Sequence, residues 1–360
     1  MMPAVKRERV DSKVPNYSKT YEYEEIIEQS RPPKTVEKPI PGPAPRRRFP
    51  YISENILNPL ILIILNISLS SAGTALAAQY IGDEISAVQT EAPEEYWWYV
   101  VPGWKILKAL GAWFGGFEAV DTSLLTFLSL APTTHFLATF HPSLSAYAHA
   151  STIAISTLSL SLPMYLLQSK VPKDEKHHHH HHKLYHRKRA VGMDKSMYIT
   201  TGLLASSIYA SVMYTSLKTF LTRMVVEYFP SIGLTGDAVG LVESVERVYH
   251  PTPLSWGMAV PIGFAVAELV LEKALKEPEE VEEEMEKKGM LRRIWDWFSP
   301  RGKVIVKRTA WVAGAMGVDT MVRLAGLMKG GSLEGAAVVG GTWVAATAFT
   351  GVVFGWIGWD

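Results

Sequence analysis

Asp319 and Arg323 stand four residues apart inside Ala310 to Met328, a stretch long and apolar enough to cross a bilayer. On a helix that spacing puts a carboxylate and a guanidinium on one face, where they can pair. An ionisable group at a spanning helix's centre costs roughly 2.5–3.5 kcal/mol on insertion scales, so both side chains are expected to face the bundle interior. A structural pair that locks helices is the favoured reading, and a substrate or proton site is its rival. Glu268 lies in a short apolar segment after Pro261 and Gly263 and invites the same two readings. Asp121 joins them through an internal echo. Trp113-x-x-Gly116-x-x-x-Val120-Asp121-Thr122 matches Trp311-x-x-Gly314-x-x-x-Val318-Asp319-Thr320 at every named position. Taken without the echo, Glu118 and Asp121 fall at a segment boundary, where a solvated carboxylate is favoured over a buried one. The intramembrane functional candidates are therefore Asp319, Arg323, Glu268 and Asp121, and no residue is assigned as catalytic.

Other chemistries find no support. The chain has no Cys, so it has no disulfide, thiolate ligand or Cys nucleophile. His135, His141 and His149 are six and eight residues apart, spacings that do not share a helical face as i, i+3 or i, i+4 would. The six consecutive His from His177 to His182 look like an affinity tag or a low-complexity loop and carry no functional assignment. No phosphate-binding Gly-x-x-x-x-Gly-Lys-Ser/Thr loop, Gly-x-Ser-x-Gly elbow or His-Glu-x-x-His motif is present, which argues against ATP-driven transport by this chain alone. No metal or cofactor is expected. A net charge of +1 gives no general attraction to nucleic acid.

The elements that would hold these residues are membrane helices. Of 360 residues, 48% are hydrophobic and only 20% charged, and the apolar ones gather into long blocks rather than spreading evenly. Ile56 to Ile81 is the clearest span, uncharged and preceded by Arg46, Arg47 and Arg48. The acidic stretch 82–96 and the belt Tyr96, Trp97, Trp98 and Tyr99 follow it. Segment two, Trp97 to Phe117, is interrupted by Lys105 and Lys108, so an interfacial helix competes with a crossing. Segments three and four, Asp121 to Phe140 and Ser143 to Leu167, lead into Lys170 to Arg189, where seven basic residues face two acids. Basic flanks belong inside, so an even number of crossings must separate this loop from Arg46 to Arg48. Four crossings satisfy that rule. Segment five, Met197 to Leu217, precedes an amphipathic stretch to Phe229 and an outer loop, and segment six runs from Leu254 to Leu271. Segments seven and eight, Ala310 to Met328 and Leu333 to Trp356, form a hairpin. The fold expected is an all-α polytopic bundle of about eight spanning helices with both termini inside, and the echo makes a four-plus-four duplication one reading of it.

This divides the chain into a disordered arm (1–50), a first four-helix half (51–168), a basic His-rich inside loop (169–192), helices five and six (193–271), a charged inside region (272–308) and a C-terminal hairpin (309–360). In the charged region, acids from Glu277 to Glu286 precede an amphipathic helix bearing Leu291, Ile294, Trp295 and Phe298. Arg292 and Arg293 would set that helix on anionic lipids. Small residues at four-residue spacing, Gly111 with Gly115 and Gly351 with Gly355, allow close helix packing, and segment eight is the best dimer face if one exists.

Two stretches, RAVGMDKSMYITTGLLASSIYASVMYTSLKTFL and KRTAWVAGAMGVDTMVRLAG with its continuation to FTGVVFGWIGW, resemble uncharacterised multipass membrane proteins of filamentous ascomycete fungi. The resemblance covers the C-terminal half and implies a eukaryotic membrane setting without any activity. Three functions are carried forward. A structural, assembly or adaptor component of a membrane complex leads, followed by a secondary carrier or channel and then a lipid-modifying enzyme. The expected partners are the lipid bilayer and other membrane proteins. The endoplasmic reticulum or another endomembrane is the expected location, with the mitochondrial inner membrane as the alternative.

Overall fold

The computed structural model describes residues 54–88, 95–141, 144–168, 193–229, 253–276 and 299–357. The arm, the His-rich loop, the outer loop after segment five and the acidic and amphipathic stretches of the charged region lie outside these residues. All regular elements among the described residues are helices. They are α1 (Glu54–Val88), α2 (Trp97–Phe114), α3 (Ala119–Phe140), α4 (Ala146–Gln168), α5 (Lys195–Ser216), α6 (Thr222–Tyr228), α7 (Pro253–Val266), α8 (Lys273–Lys276), α9 (Pro300–Leu327) and α10 (Leu333–Ile357). A π-helical segment, Leu217–Leu221, joins α5 to α6, and another, Ala267–Glu272, joins α7 to α8.

The helix ends follow from local chemistry. Between α2 and α3 the chain reverses in a Schellman turn: Phe117 N–H donates to Ala112 O at 3.1 Å and Gly116 N–H to Trp113 O at 3.2 Å. Gly116 takes φ 68°, a conformation that favours Gly. Ser299 caps α9 by accepting from Gly302 N–H at 3.1 Å, with Pro300 at the first helical position, and Ser332 caps α10 by accepting from Gly335 N–H at 3.0 Å.

Contacts between helix ends fix the directions of travel. At one end of the bundle Lys329 N–H donates to Val88 O (3.0 Å), Ser145 N–H donates to the Glu84 carboxylate (2.8 Å), and Gly326 abuts Trp97. Gly335 lies against Tyr228 and Phe229 at that same end. At the other end Gln168 Nε2 donates to Phe117 O (2.8 Å), Lys273 reaches Glu118 and Asp121, and Gly351 meets Thr309. Successive long elements, with α5–α6 and α7–α8 each taken as one, therefore alternate in direction through eight traverses.

The helix α3 sits at the centre, packed on α4, α7 and α9 and buried on nearly every side from Asp121 to Phe140. Four of its buried hydroxyls are satisfied within the helix: Thr126, Ser129, Thr134 and Thr139 each donate to a carbonyl three or four residues back. Large apolar side chains such as Leu128, Ile262, Leu269, Met316, Trp343 and Phe354 fill the core, while Leu60, Leu76, Leu158, Tyr165, Val352 and Trp356 lie exposed on the outside. An apolar outer face around a packed interior suits contact with lipid.

Among the described residues four helices are long and apolar enough to cross a membrane: α1 from Leu57, α3, α4 and α10. That is fewer than the eight expected. The difference has a physical basis: α2 carries Lys105 and Lys108, α5 is rich in hydroxyls, α7 has 14 residues before its π-helical segment, and α9 opens with Arg301, Lys303, Lys307 and Arg308. Boundaries move as well. The first helix runs on to Val88 and includes Asp83 and Glu84, and segment two ends at Phe114 rather than Phe117.

Candidate functional site

Among the described residues the buried charges form two clusters, and each joins distant parts of the chain. Asp319 on α9 is fully buried and lies nearer the C-terminal than the N-terminal end of its helix. Its Oδ1 accepts from Trp104 Nε1 at 2.7 Å and from Lys108 Nζ at 2.6 Å, and its Oδ2 accepts from Arg323 Nε at 2.7 Å. The first two donors come from α2, where i, i+4 spacing sets the Lys108 ammonium 5.9 Å above the Trp104 ring. Lys105, one turn away, donates to Ser70 Oγ on α1 at 2.9 Å. The i, i+4 partnership with Arg323 was legible in the sequence; the α2 donors were not. In the sequence Lys105 and Lys108 stand as interruptions of a span. Two lysines without an acid on their own apolar helix are themselves a sign that a carboxylate must come from another helix.

Asp121 opens α3, where a negative charge suits the positive end of the helix dipole. It is buried, which corrects the solvated-loop reading. Lys273 Nζ lies 3.1 Å from its Oδ1 and 3.2 Å from Glu118 Oε2, and Arg308 Nη1 stands 4.0 Å from its Oδ2. The Lys273 contact is close but not aligned as a hydrogen bond by strict geometry, so Oδ1 has no hydrogen-bond donor of its own. Burial works against the charge on Lys273, yet the neighbouring Asp121 and Glu118 outweigh it and hold the ammonium above its ordinary range. Arg308 also donates to Leu269 O at 3.3 Å, which ties α9 to the π-helical segment.

The two halves of the echo differ in backbone. Gly116 occupies the turn between α2 and α3, whereas Gly314 lies within unbroken α9. The Val-Asp-Thr triplets nonetheless share one pattern, with Val120 and Val318 exposed and Asp121, Thr122, Asp319 and Thr320 buried. Glu268 is half-buried in the π-helical segment Ala267–Glu272, hydrogen-bonded to Tyr198. Such segments in α-helices often accompany functional positions.

Among the small residues, Gly111 faces Trp311, Gly115 approaches Phe117 and Gly111 O, and Gly351 presses on Thr309. These contacts lie within the bundle. Gly355 meets nothing within 4 Å. Gly317 and Gly340, small residues of segments seven and eight, bring α9 against α10, and a further crossing that no spacing in the sequence marks is that of Gly202 and Gly263, which bring α5 against α7. Among the described residues no cluster of His, Asp or Glu could hold a metal ion, and His135 instead packs edge-on to Trp343 with ring centroids 5.6 Å apart.

This arrangement ties distant helices together through buried charged groups, and the second half of the chain is similar to a known domain. Residues 194–357 match the model of the bouquet formation protein 3 C-terminal domain. The matched segment runs from Asp194, which precedes the first residue of α5, to Ile357, the last residue of α10. It agrees with the fungal resemblance carried by the same half of the chain. Asp319, Arg323 and Glu268 fall inside this matched segment, whereas Trp104, Lys108 and Asp121 fall outside it. No curated protein and no solved structure matches the chain.

Proposed function

We propose that the chain is a multi-pass endomembrane protein that serves as a structural or adaptor component of a membrane complex, of the kind used in bouquet formation. The match over 194–357 supports the class of process, and the setting it suggests is the endoplasmic reticulum and the nuclear envelope continuous with it. The observation that carries the scaffold reading is that Asp319, fully buried, is held by three donors from two helices. A carboxylate saturated in this way locks α2 to α9. A transport site needs one that can exchange partners.

On this reading the eight alternating traverses are eight membrane crossings, with the arm, the His-rich loop, the charged region and the C-terminus on one side. By its charge, the acidic run Glu277 to Glu286 suits a basic surface on a partner protein, and Arg292 and Arg293 suit anionic lipid. Deleting Glu279 to Glu286 should abolish co-purification of partner proteins from native membranes while leaving the thermal unfolding of the bundle unchanged. Retention of every co-purifying protein by the deletion variant would refute the adaptor role. A carrier would instead keep its partners and its flux after the deletion and lose flux on Glu268→Gln.

A further inference from the structure

The cluster around Asp319 is unbalanced. One buried carboxylate faces Lys108 and Arg323 directly, and Lys105 lies within electrostatic reach of all three. Among the described residues that makes three cations for one anion. A surplus of two positive charges in a low-dielectric bundle is costly, and a bound anion would relieve it. The donors are present too. Asp319 takes the Nε of Arg323, leaving the two terminal nitrogens of a guanidinium whose planar fork suits phosphate oxygens. Lys105 engages only a neutral hydroxyl, that of Ser70. The cations are not sealed in: the Lys108 and Arg323 side chains keep 13% and 20% of their exposure.

Depth points to the same chemistry. Gly326 on α9 touches Trp97, part of the aromatic belt Tyr96 to Tyr99, and Arg323 is three residues back from it, about one helical turn. Trp98 and Tyr99 are exposed beside it. A guanidinium one turn below an interfacial belt stands near the lipid headgroups. We infer that α1, α2 and α9 form a binding site for a phosphate-bearing anion, in which Arg323 and Lys105 contact the phosphate while Lys108, through Asp319, holds Arg323 in position. An anionic phospholipid of the leaflet at the α2 N-terminal end supplies it. This inference rests on the membrane reading of the chain.

The test uses the full chain purified in a neutral detergent. Its melting temperature is followed during titration with dihexanoyl phosphatidic acid, dihexanoyl phosphatidylcholine or inorganic phosphate, and native mass spectrometry counts the lipid retained. Phosphatidic acid should bind saturably and raise the melting temperature, and phosphatidylcholine should not. The variant Lys105→Gln should weaken phosphatidic acid about tenfold or more, while without lipid it should melt no lower than the parent, because it removes one surplus buried charge. Arg323→Lys, which keeps the charge but loses the fork, should also weaken it. Inorganic phosphate acting as strongly as the lipid would support the anion site and overturn the lipid as its source. Parent protein that binds neither, or equal binding by the parent and Lys105→Gln, would overturn the site. Extraction by alkaline carbonate is scored separately: release of the chain would refute the membrane reading, whatever the titration shows.

Discussion

A buried carboxylate with three donors behaves differently from one with a single partner. In Asp319→Asn the Lys108 ammonium and the Arg323 guanidinium both lose their counter-charge in a low-dielectric site. The expected loss is about 3–5 kcal/mol, the usual result of breaking a buried pair from one side. Lys108→Met should cost less, because Asp319 keeps Arg323 and Trp104. The double variant Asp319→Asn with Arg323→Gln should not restore stability, since Lys108 remains uncompensated. Denaturant unfolding in a single detergent measures all three, and parent-like stability in Asp319→Asn would remove the cluster from the account. The sequence carried part of this. A spacing of four residues is visible along one helix, so the pairing of Asp319 with Arg323 could be read directly. Lys108 comes from 211 positions away, and nothing in a single sequence aligns α2 with α9. Asp121 was undervalued for a similar reason, because the cations that accompany it into the interior, Lys273 and Arg308, lie in other segments.

Helices meet where their glycines allow it, so the glycines make a test at the scale of elements. A Cβ on Gly263 would run into the hydroxyl and backbone nitrogen of Ser206 and the Gly202 carbonyl, which cannot yield as a side-chain tip would. Gly263→Ala should therefore push α5 from α7 and cost about 1–3 kcal/mol. Gly341 has nothing within 4 Å of the same position, and Gly341→Ala should be neutral or stabilising by up to about 1 kcal/mol through helix propensity. Equal melting temperatures for the two variants would contradict the packing described. Helix positions were largely legible, because apolar blocks bounded by charge mark spans in sequence. The π-helical segments were not, and the stretch after segment five that reads as a separate amphipathic piece is instead joined to α5 through one of them. Inserting an extra residue per turn leaves no compositional trace.

At the scale of the molecule, the eight alternating traverses and the four helices apolar enough to cross by themselves describe two different membrane proteins. We propose eight, since elements with lysines or hydroxyls can cross when neighbouring helices satisfy them, as α1 and α9 do for α2. The natural absence of Cys makes the decision clean, because each introduced Cys is the only thiol in the chain. Single variants Ser18→Cys, Gln89→Cys, Tyr185→Cys, Asp237→Cys, Lys287→Cys and Asp360→Cys are labelled with a membrane-impermeant maleimide in sealed vesicles of known orientation. Eight crossings predict that positions 18, 185, 287 and 360 share one side and that 89 and 237 share the other. If only α1, α3, α4 and α10 crossed, positions 185 and 287 would label with 89, and that result would contradict the bundle proposed here.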